Sequence, residues 1–108
     1  MTDHEVRWTD AARDDLRSIV DYVAEDSPVA AVRCLNRVES LCQGLATQPG
    51  RGRVVPELGA VGISIYRELI ERPWRIVYRH DDKLVHVLAV LDARRDLSSL
   101  LLERLVRQ

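Results

Sequence analysis

The stretch ISIYRELIERPWRIVYRHDDKLVHVLAVLDARRD, residues 63–96, decides the fold. It opens with period-two alternation, Ile63, Ile65, Arg67 and Leu69 against Ser64, Tyr66, Glu68 and Ile70, as in a strand with two different faces. After Glu71-Arg72-Pro73 the alternation resumes, with Trp74, Ile76 and Tyr78 against Arg75, Val77 and Arg79. His80-Asp81-Asp82-Lys83 makes the next tight connection. Leu84 to Leu91 is then apolar on both parities, as in a central strand covered on both faces. Connections this short predict an antiparallel three-stranded meander. The strands carry Arg67, Arg75 and Arg79, and the chain leaves the last of them through Arg94-Arg95. Guanidinium groups stay charged at every accessible pH and present forked donors, so such a sheet suits an anionic or carboxylate-bearing partner.

Upstream, Thr47 to Gly62 holds Pro49, Gly50, Gly52, Pro56, Gly59 and Gly62, which predicts irregular structure over most of its length. Before that lie two helical patterns. Ala12, Leu16, Ile19 and Val23 recur at spacings of four, three and four, and Thr9 or Asp10 offers cap chemistry. Ala31, Leu35, Val38, Cys42 and Leu45 form a second seam that starts at Ser27-Pro28, a cap followed by the residue favoured at the first helical position. So short a connection predicts an antiparallel helical hairpin. Val6-Arg7-Trp8 has strand character. Asp96 is expected to cap a final helix from Leu97 to about Leu105. The expected fold class is α+β: an N-terminal strand, then an antiparallel helical hairpin packed on a small antiparallel sheet with a C-terminal meander and a short terminal helix, all in one domain spanning 1–108.

The chain has 108 residues, 46% of them hydrophobic, enough for one compact core. Its formal net charge of -1 argues against a surface that is a polyanion trap throughout. The balance conceals a gradient: residues 1–30 hold three arginines against eight carboxylates, a net of -5, which leaves +4 on residues 31–108. Lys83 is the only lysine among 16 basic residues, a bias that fits forked recognition or a GC-rich genome. Cys34 and Cys42 lie two helical turns apart, about 12 Å of rise, too far for a disulfide. They read as reduced core residues, and with no signal-peptide pattern and no apolar run long enough to span a bilayer, a cytoplasmic protein is expected. Neither they nor the histidines show ligand spacing, so no metal site and no cofactor are expected.

In order along the chain, Trp8-Thr9-x-x-Ala12-x-x-Asp15-Leu16, Ser27-Pro28-x-Ala30-Ala31, Pro49-Gly50-x-Gly52-Arg53, Tyr66-Arg67-Glu68-Leu69, Arg75-Ile76-Val77-Tyr78-Arg79 and Arg94-Arg95-Asp96 resemble the RelE/ParE superfamily of bacterial type II toxins. The resemblance implies a toxin neutralised by a cognate antitoxin with a partly disordered tail, in a hetero-oligomer. It also forks. RelE-like members are ribosome-dependent mRNA endoribonucleases, whereas ParE-like members poison DNA gyrase and are not regarded as nucleases.

Metal-free RNA cleavage requires a base for the 2′-hydroxyl, an acid for the leaving oxygen and cations for the transition state. Arginine supplies only the cations. Arg75 resembles a RelE active-site arginine, and Arg94 or Arg95 another, with Tyr66 as the accompanying candidate if the chain is a nuclease. The lysines that RelE-type members carry on the preceding strand are absent from Ile65 to Glu68, and the last helix offers Ser98, Ser99, Leu100 and Leu101 where they carry a tyrosine or histidine. Tyr78 shares parity with Trp74 and Ile76 and reads as core, His80 as a solvated turn residue, and His86 as a buried, satisfied histidine. An unassisted tyrosine titrates near 10 and makes a poor base.

The favoured reading is therefore a ParE-like gyrase inhibitor with a ParD-like antitoxin, and the alternative is a RelE-like endoribonuclease. Arg67, Arg75, Arg94 and Arg95 are the expected target contacts, and direct DNA binding without the antitoxin is not expected. Leu100, Leu101, Leu102 and Leu105 are the expected antitoxin contacts, since one short helix cannot turn consecutive leucines toward one core. A third reading makes the arginines structural. Arg67 and Glu68 point to opposite faces, so Glu68 is expected to pair with Arg75 or Arg79 across the meander, while Asp92 and Asp96 can each satisfy one of Arg94 and Arg95.

Overall fold

The computed structural model describes residues 3–95 and 97–106. Strand β1 (Glu5–Trp8) leads into α1 (Asp10–Asp26), where the Thr9 hydroxyl accepts a bond from the Ala12 amide at 3.1 Å. Ser27 ends α1 and begins α2 (Pro28–Gln43), its hydroxyl accepting from the Ala30 amide at 3.1 Å. One residue thus caps the second helix and sets the hairpin. Ala12, Leu16 and Ile19 face Ala31, Val38 and Cys42 in a buried seam, with Leu45 joining from a single 3-10 turn after α2.

The next segment is more ordered than expected. It contains a two-residue strand β2 (Arg53–Val54) and a single-turn helix α3 (Pro56–Gly59) with proline at its first position. Gly62 adopts φ +84°, a left-handed turn that glycine enters without steric cost. Strand β3 (Arg67–Glu71) is shorter than the alternation implied, because Ile63 and Tyr66 turn instead onto an apolar cluster. Strands β4 (Trp74–His80) and β5 (Leu84–Asp92) complete the meander, and α4 (Leu97–Val106) follows. The expected cap at Asp96 lies outside the described residues.

The sheet order is β1-β5-β4-β3-β2. All pairings are antiparallel except β1 with β5, which run parallel in the register Arg7 to His86. The sheet is therefore mixed rather than wholly antiparallel: the helical hairpin carries the chain away after β1, and the meander brings β5 back alongside it in the same direction.

Between Val77 and Tyr78 the β4–β5 register shifts: Val77 opposes Ala89 but Tyr78 opposes Val87, leaving Leu88 as the extra residue of a bulge. The bulge explains why β5 lacks alternation. Val85, Val87 and Val90 join the helix-facing cluster, whereas Ala89 and Leu91 join Val77 on the opposite face. There α3 and α4 form a second roof, with Val55, Leu58, Leu97 and Leu101 buried. Beyond the end of β1 the free edge of β5 is stoppered by side chains. The Leu88 carbonyl accepts from the Thr9 hydroxyl at 3.4 Å and Arg104 at 3.3 Å, and the Val90 amide donates to Asp15 at 3.0 Å. Filling an edge in this way prevents pairing with a foreign strand. No helix among the described residues is long and apolar enough to cross a membrane.

Candidate functional site

Arg75 lies inside the protein, its side chain only 9% exposed. Its Nε donates to Glu68 at 2.6 Å, while Nη1 and Nη2 donate to the two oxygens of Glu57 at 2.7 Å each. Glu68 is fully buried and takes Arg53 on its second oxygen at 2.7 Å. The four side chains therefore form one chain of charge-assisted hydrogen bonds between β2, α3, β3 and β4. The hydrogen bonds from Arg75 hold the Glu57 carboxyl below the usual range, and those from Glu57 first, then Glu68, raise the guanidinium further above its already high value. Arg75, expected as a target contact, thus donates three of its five N–H groups to carboxylates of its own chain. The expected pairing of Glu68 with Arg75 is found, on the diagonal of the β3–β4 register. Glu57 was not foreseen as a partner, since it lies in the segment whose glycines and prolines predict loop.

Arg67, on the helix-side face of β3, donates from Nη1 to the Gly52 carbonyl at 2.7 Å. The Tyr78 hydroxyl completes the same anchor, accepting from the Gly52 amide and donating to the Pro49 carbonyl, both at 2.8 Å. A Cβ on Gly52 would lie 2.5 Å from the Glu68 carbonyl and 2.8 Å from the Tyr78 ring, so only glycine fits. Tyr78 is buried as its parity predicts, and burial pushes its hydroxyl above the ordinary phenol range. Its hydroxyl both accepts and donates within the fold. Tyr66 is half-buried against the second cluster rather than exposed on a strand. His80 is exposed beside the Asp81 carbonyl, as a turn residue, and His86 is half-buried between Arg7 and Arg79 in register.

Arg94 and Arg95 are exposed at the exit of β5. Arg94 forms a forked pair with Asp92 at 2.9 and 2.7 Å. The side-chain bonds from Arg94, with its backbone amide, lower the Asp92 carboxyl to about 2. In α4, Leu101 is buried in the second cluster and Leu100 is half-buried against it, while Leu102 is 52% exposed. Leu101 is thus part of the fold's own core rather than an open contact, for the residue directly over the sheet must face inward. The Leu105 side chain lies outside the described residues. Arg104, not singled out in the sequence, reaches α1 and forks onto Asp15 at 2.7 and 3.0 Å. Nothing in the local sequence of either residue announces this pair.

Arg75 and Tyr78 are thus engaged within the fold, while Arg94 and Arg95 stand exposed at the β5–α4 end. The architecture is that of a small α+β domain with a helical hairpin on one sheet face and short helices on the other. The family described as ParE toxin of type II toxin-antitoxin system, parDE, matches residues 6–97, and the chain belongs to it. It is 36% identical over 92 residues to the Caulobacter vibrioides protein named Toxin RelE2, an alignment covering 84% of this chain and 97% of that protein. Among solved structures, a chain of the chromosomal ParDE toxin–antitoxin system of P. aeruginosa superposes with TM-score 0.66 at 24% identity, covering 82% of this chain and 95% of that one. A chain of the Mycobacterium tuberculosis RelBE2 toxin–antitoxin complex gives 0.58 at 24% identity, covering 83% and 98%. The relatives thus bear names from both branches.

Proposed function

We propose that this chain is a ParE-like toxin that inhibits DNA gyrase and is neutralised, in a hetero-oligomer, by a ParD-like antitoxin. The observation that carries this reading is the occupancy of Arg75: its guanidinium is spent on Glu57 and Glu68 inside the protein. A cation that must stabilise a phosphorane-like transition state needs its fork facing the substrate. Tyr78 and Tyr66 are likewise engaged in the fold, and the described part of α4 holds no tyrosine or histidine. Surface grip then falls to Arg94 and Arg95, with Leu102 and the outer side of Leu100 available to the antitoxin.

The test is supercoiling by purified gyrase with the toxin in excess, run beside codon-resolved mRNA cleavage on translating ribosomes. Inhibited supercoiling with stalled cleavage complexes supports the proposal. Unimpeded supercoiling sinks it, and mRNA cut on the ribosome would establish the endoribonuclease reading, which the name of the Caulobacter relative favours. Relief of growth arrest by the protein encoded next to the toxin tests the antitoxin half.

A further inference from the structure

The β4–β5 turn presents its Asp81 carbonyl to two imidazoles at once. His4, just ahead of β1, places Nε2 at 2.9 Å from that oxygen across 77 residues of chain, and His80, at the end of β4, places Nδ1 at 3.3 Å. The rings stand edge to face, their centroids 6.1 Å apart and their planes at 82°. They therefore do not stack; each aims a nitrogen at the same point. The turn that offers the carbonyl is itself fixed. The Asp81 carboxylate accepts the amides of Lys83 and Leu84 at 2.8 Å each, and the Asp81 amide donates to the Leu84 carbonyl at 3.0 Å. His4 is held as well, its own amide donating to the Ala46 carbonyl at 2.8 Å.

Two ring N–H groups on one carbonyl satisfy the fold, but the same spacing suits a metal ion. Nitrogen and oxygen ligands bound to one zinc at about 2.0–2.1 Å lie about 2.9 Å apart at a right angle and about 3.3 Å apart at the tetrahedral angle. Both separations at Asp81 are edges of such a polyhedron. Each neutral imidazole becomes a ligand by carrying its proton on the far ring nitrogen, so no proton has to leave the protein. Two imidazoles on a tetrahedral ion have centroids about 5 Å apart, and His80 is exposed and free to close that gap. No three His, Cys, Asp or Glu side chains among the described residues form a metal cage. The third ligand here is supplied instead by the main chain, and exposed Asp82 or water is left for the fourth position. The adjoining groove is lined by Asp3, Glu5, Asp81 and Asp82 against Lys83, a field that favours a cation. Imidazole ligands select zinc, copper or nickel over magnesium and calcium.

We propose that His4 Nε2, His80 Nδ1 and the Asp81 carbonyl form a site for an imidazole-seeking divalent ion such as zinc, which clips the entry of β1 to the β4–β5 turn. The site lies at the opposite end of β5 from Arg94 and Arg95 and is independent of the gyrase reading.

The probe is zinc chloride, titrated by calorimetry into the intact, reduced toxin carrying no affinity tag, with magnesium chloride in parallel. The expected result is one zinc per chain, no magnesium binding, a thermal midpoint that rises with zinc, and imidazole resonances of His4 and His80 that shift together. His4→Gln and His80→Asn keep an N–H for the carbonyl but lose the ligand, and each is expected to weaken zinc by at least about tenfold. His86→Ala and Cys34→Ser are expected to leave the affinity unchanged. Thermal melts without metal distinguish loss of the site from loss of the fold. No saturable zinc binding, affinity indifferent to His4→Gln or His80→Asn, a zinc shared between two chains, or binding lost in Cys34→Ser or His86→Ala would overturn the inference.

Discussion

Arg104 in α4 and Asp15 in α1, 89 residues apart, meet in a two-pronged pair at 2.7 and 3.0 Å on the free edge of β5. Both side chains are largely shielded, at 25% and 17% exposure, and Asp15 also accepts the Val90 amide. Arg104→Ala strands a sheltered carboxylate and is expected to cost about 1–3 kcal/mol, read as a lower urea midpoint with unchanged slope. Amide exchange is expected to accelerate in α4 before it does in the helical hairpin; uniform acceleration would show that the pair is not what fastens α4.

Breaking the buried chain at Glu68 is expected to be the most damaging polar change. Glu68→Ala leaves Arg75 charged, buried and half-satisfied, at a cost of about 3–5 kcal/mol. Glu57→Gln, at a position 27% exposed, is expected to cost less. The double variant Glu68→Leu with Arg75→Leu is expected to be more stable than Glu68→Ala alone. If Arg75→Lys instead abolished activity at full stability, the structural assignment of this arginine would be wrong.

The depressed carboxyls set the acid limb of stability. A carboxyl whose pKa is lower folded than unfolded stabilises fully above its unfolded value and loses that contribution as pH falls through the folded one. Glu57 is lowered from 4.5, chiefly by its hydrogen bonds from Arg75, and Asp92 from 3.8 to about 2, chiefly by those from Arg94. Stability is thus expected to be flat above about pH 5 and to fall below it, and Glu57→Gln is expected to flatten the upper part of that fall.

At alkaline pH the sign reverses for Cys42. Burial raises its thiol from 9.0 to about 12, so its contribution is complete below 9 and is lost as pH rises toward 12. Cys42→Ala is expected to remove this limb while lowering stability at neutral pH through the lost packing. Thiol labelling of the native protein is expected to spare Cys42 and to modify partly buried Cys34 slowly.

Arg94→Ala with Arg95→Ala is expected to abolish growth arrest with the fold retained, at a cost of about 0.2–1 kcal/mol for the exposed Arg94–Asp92 pair. Induction assays paired with thermal melts decide it. A double variant that no longer unfolds cooperatively would assign the pair to the fold instead.

Much of this was legible in the chain. Helical spacing located the seams of α1 and α2, Ser27-Pro28 marked their junction, and the parity of Tyr78 with Trp74 and Ile76 placed it in the core. The partner of Arg75 was half legible: Glu68 lies within the meander, where register brings residues together, but Glu57 arrives from a segment without periodicity. Neither the parallel seating of β1 nor the Asp15–Arg104 pair leaves a local trace, because both depend on how distant elements close over β5. The same holds for the Gly/Pro segment, where packing of Val55 and Leu58 over Val77 orders residues whose composition predicts a loop.

Leu88 makes residue count, as much as residue type, a determinant of this protein. It is a phase shifter: every side chain after it points where its neighbour would otherwise point. Deleting it would leave Val87 and Ala89 as consecutive residues in plain alternation, with Val90 still toward the hairpin and Ala89 and Leu91 still under α4, whereas pairing Leu88 regularly with every residue kept would exchange the contents of the two interiors. Substitution at Leu88 is a question of volume and its deletion a question of the bulge alone, but one further regularly paired residue there would rewrite the far half of the strand. Length variation in natural relatives between the counterparts of His86 and Asp92 is accordingly expected to be loss of the bulge residue rather than gain of a paired one, even where side-chain identity drifts.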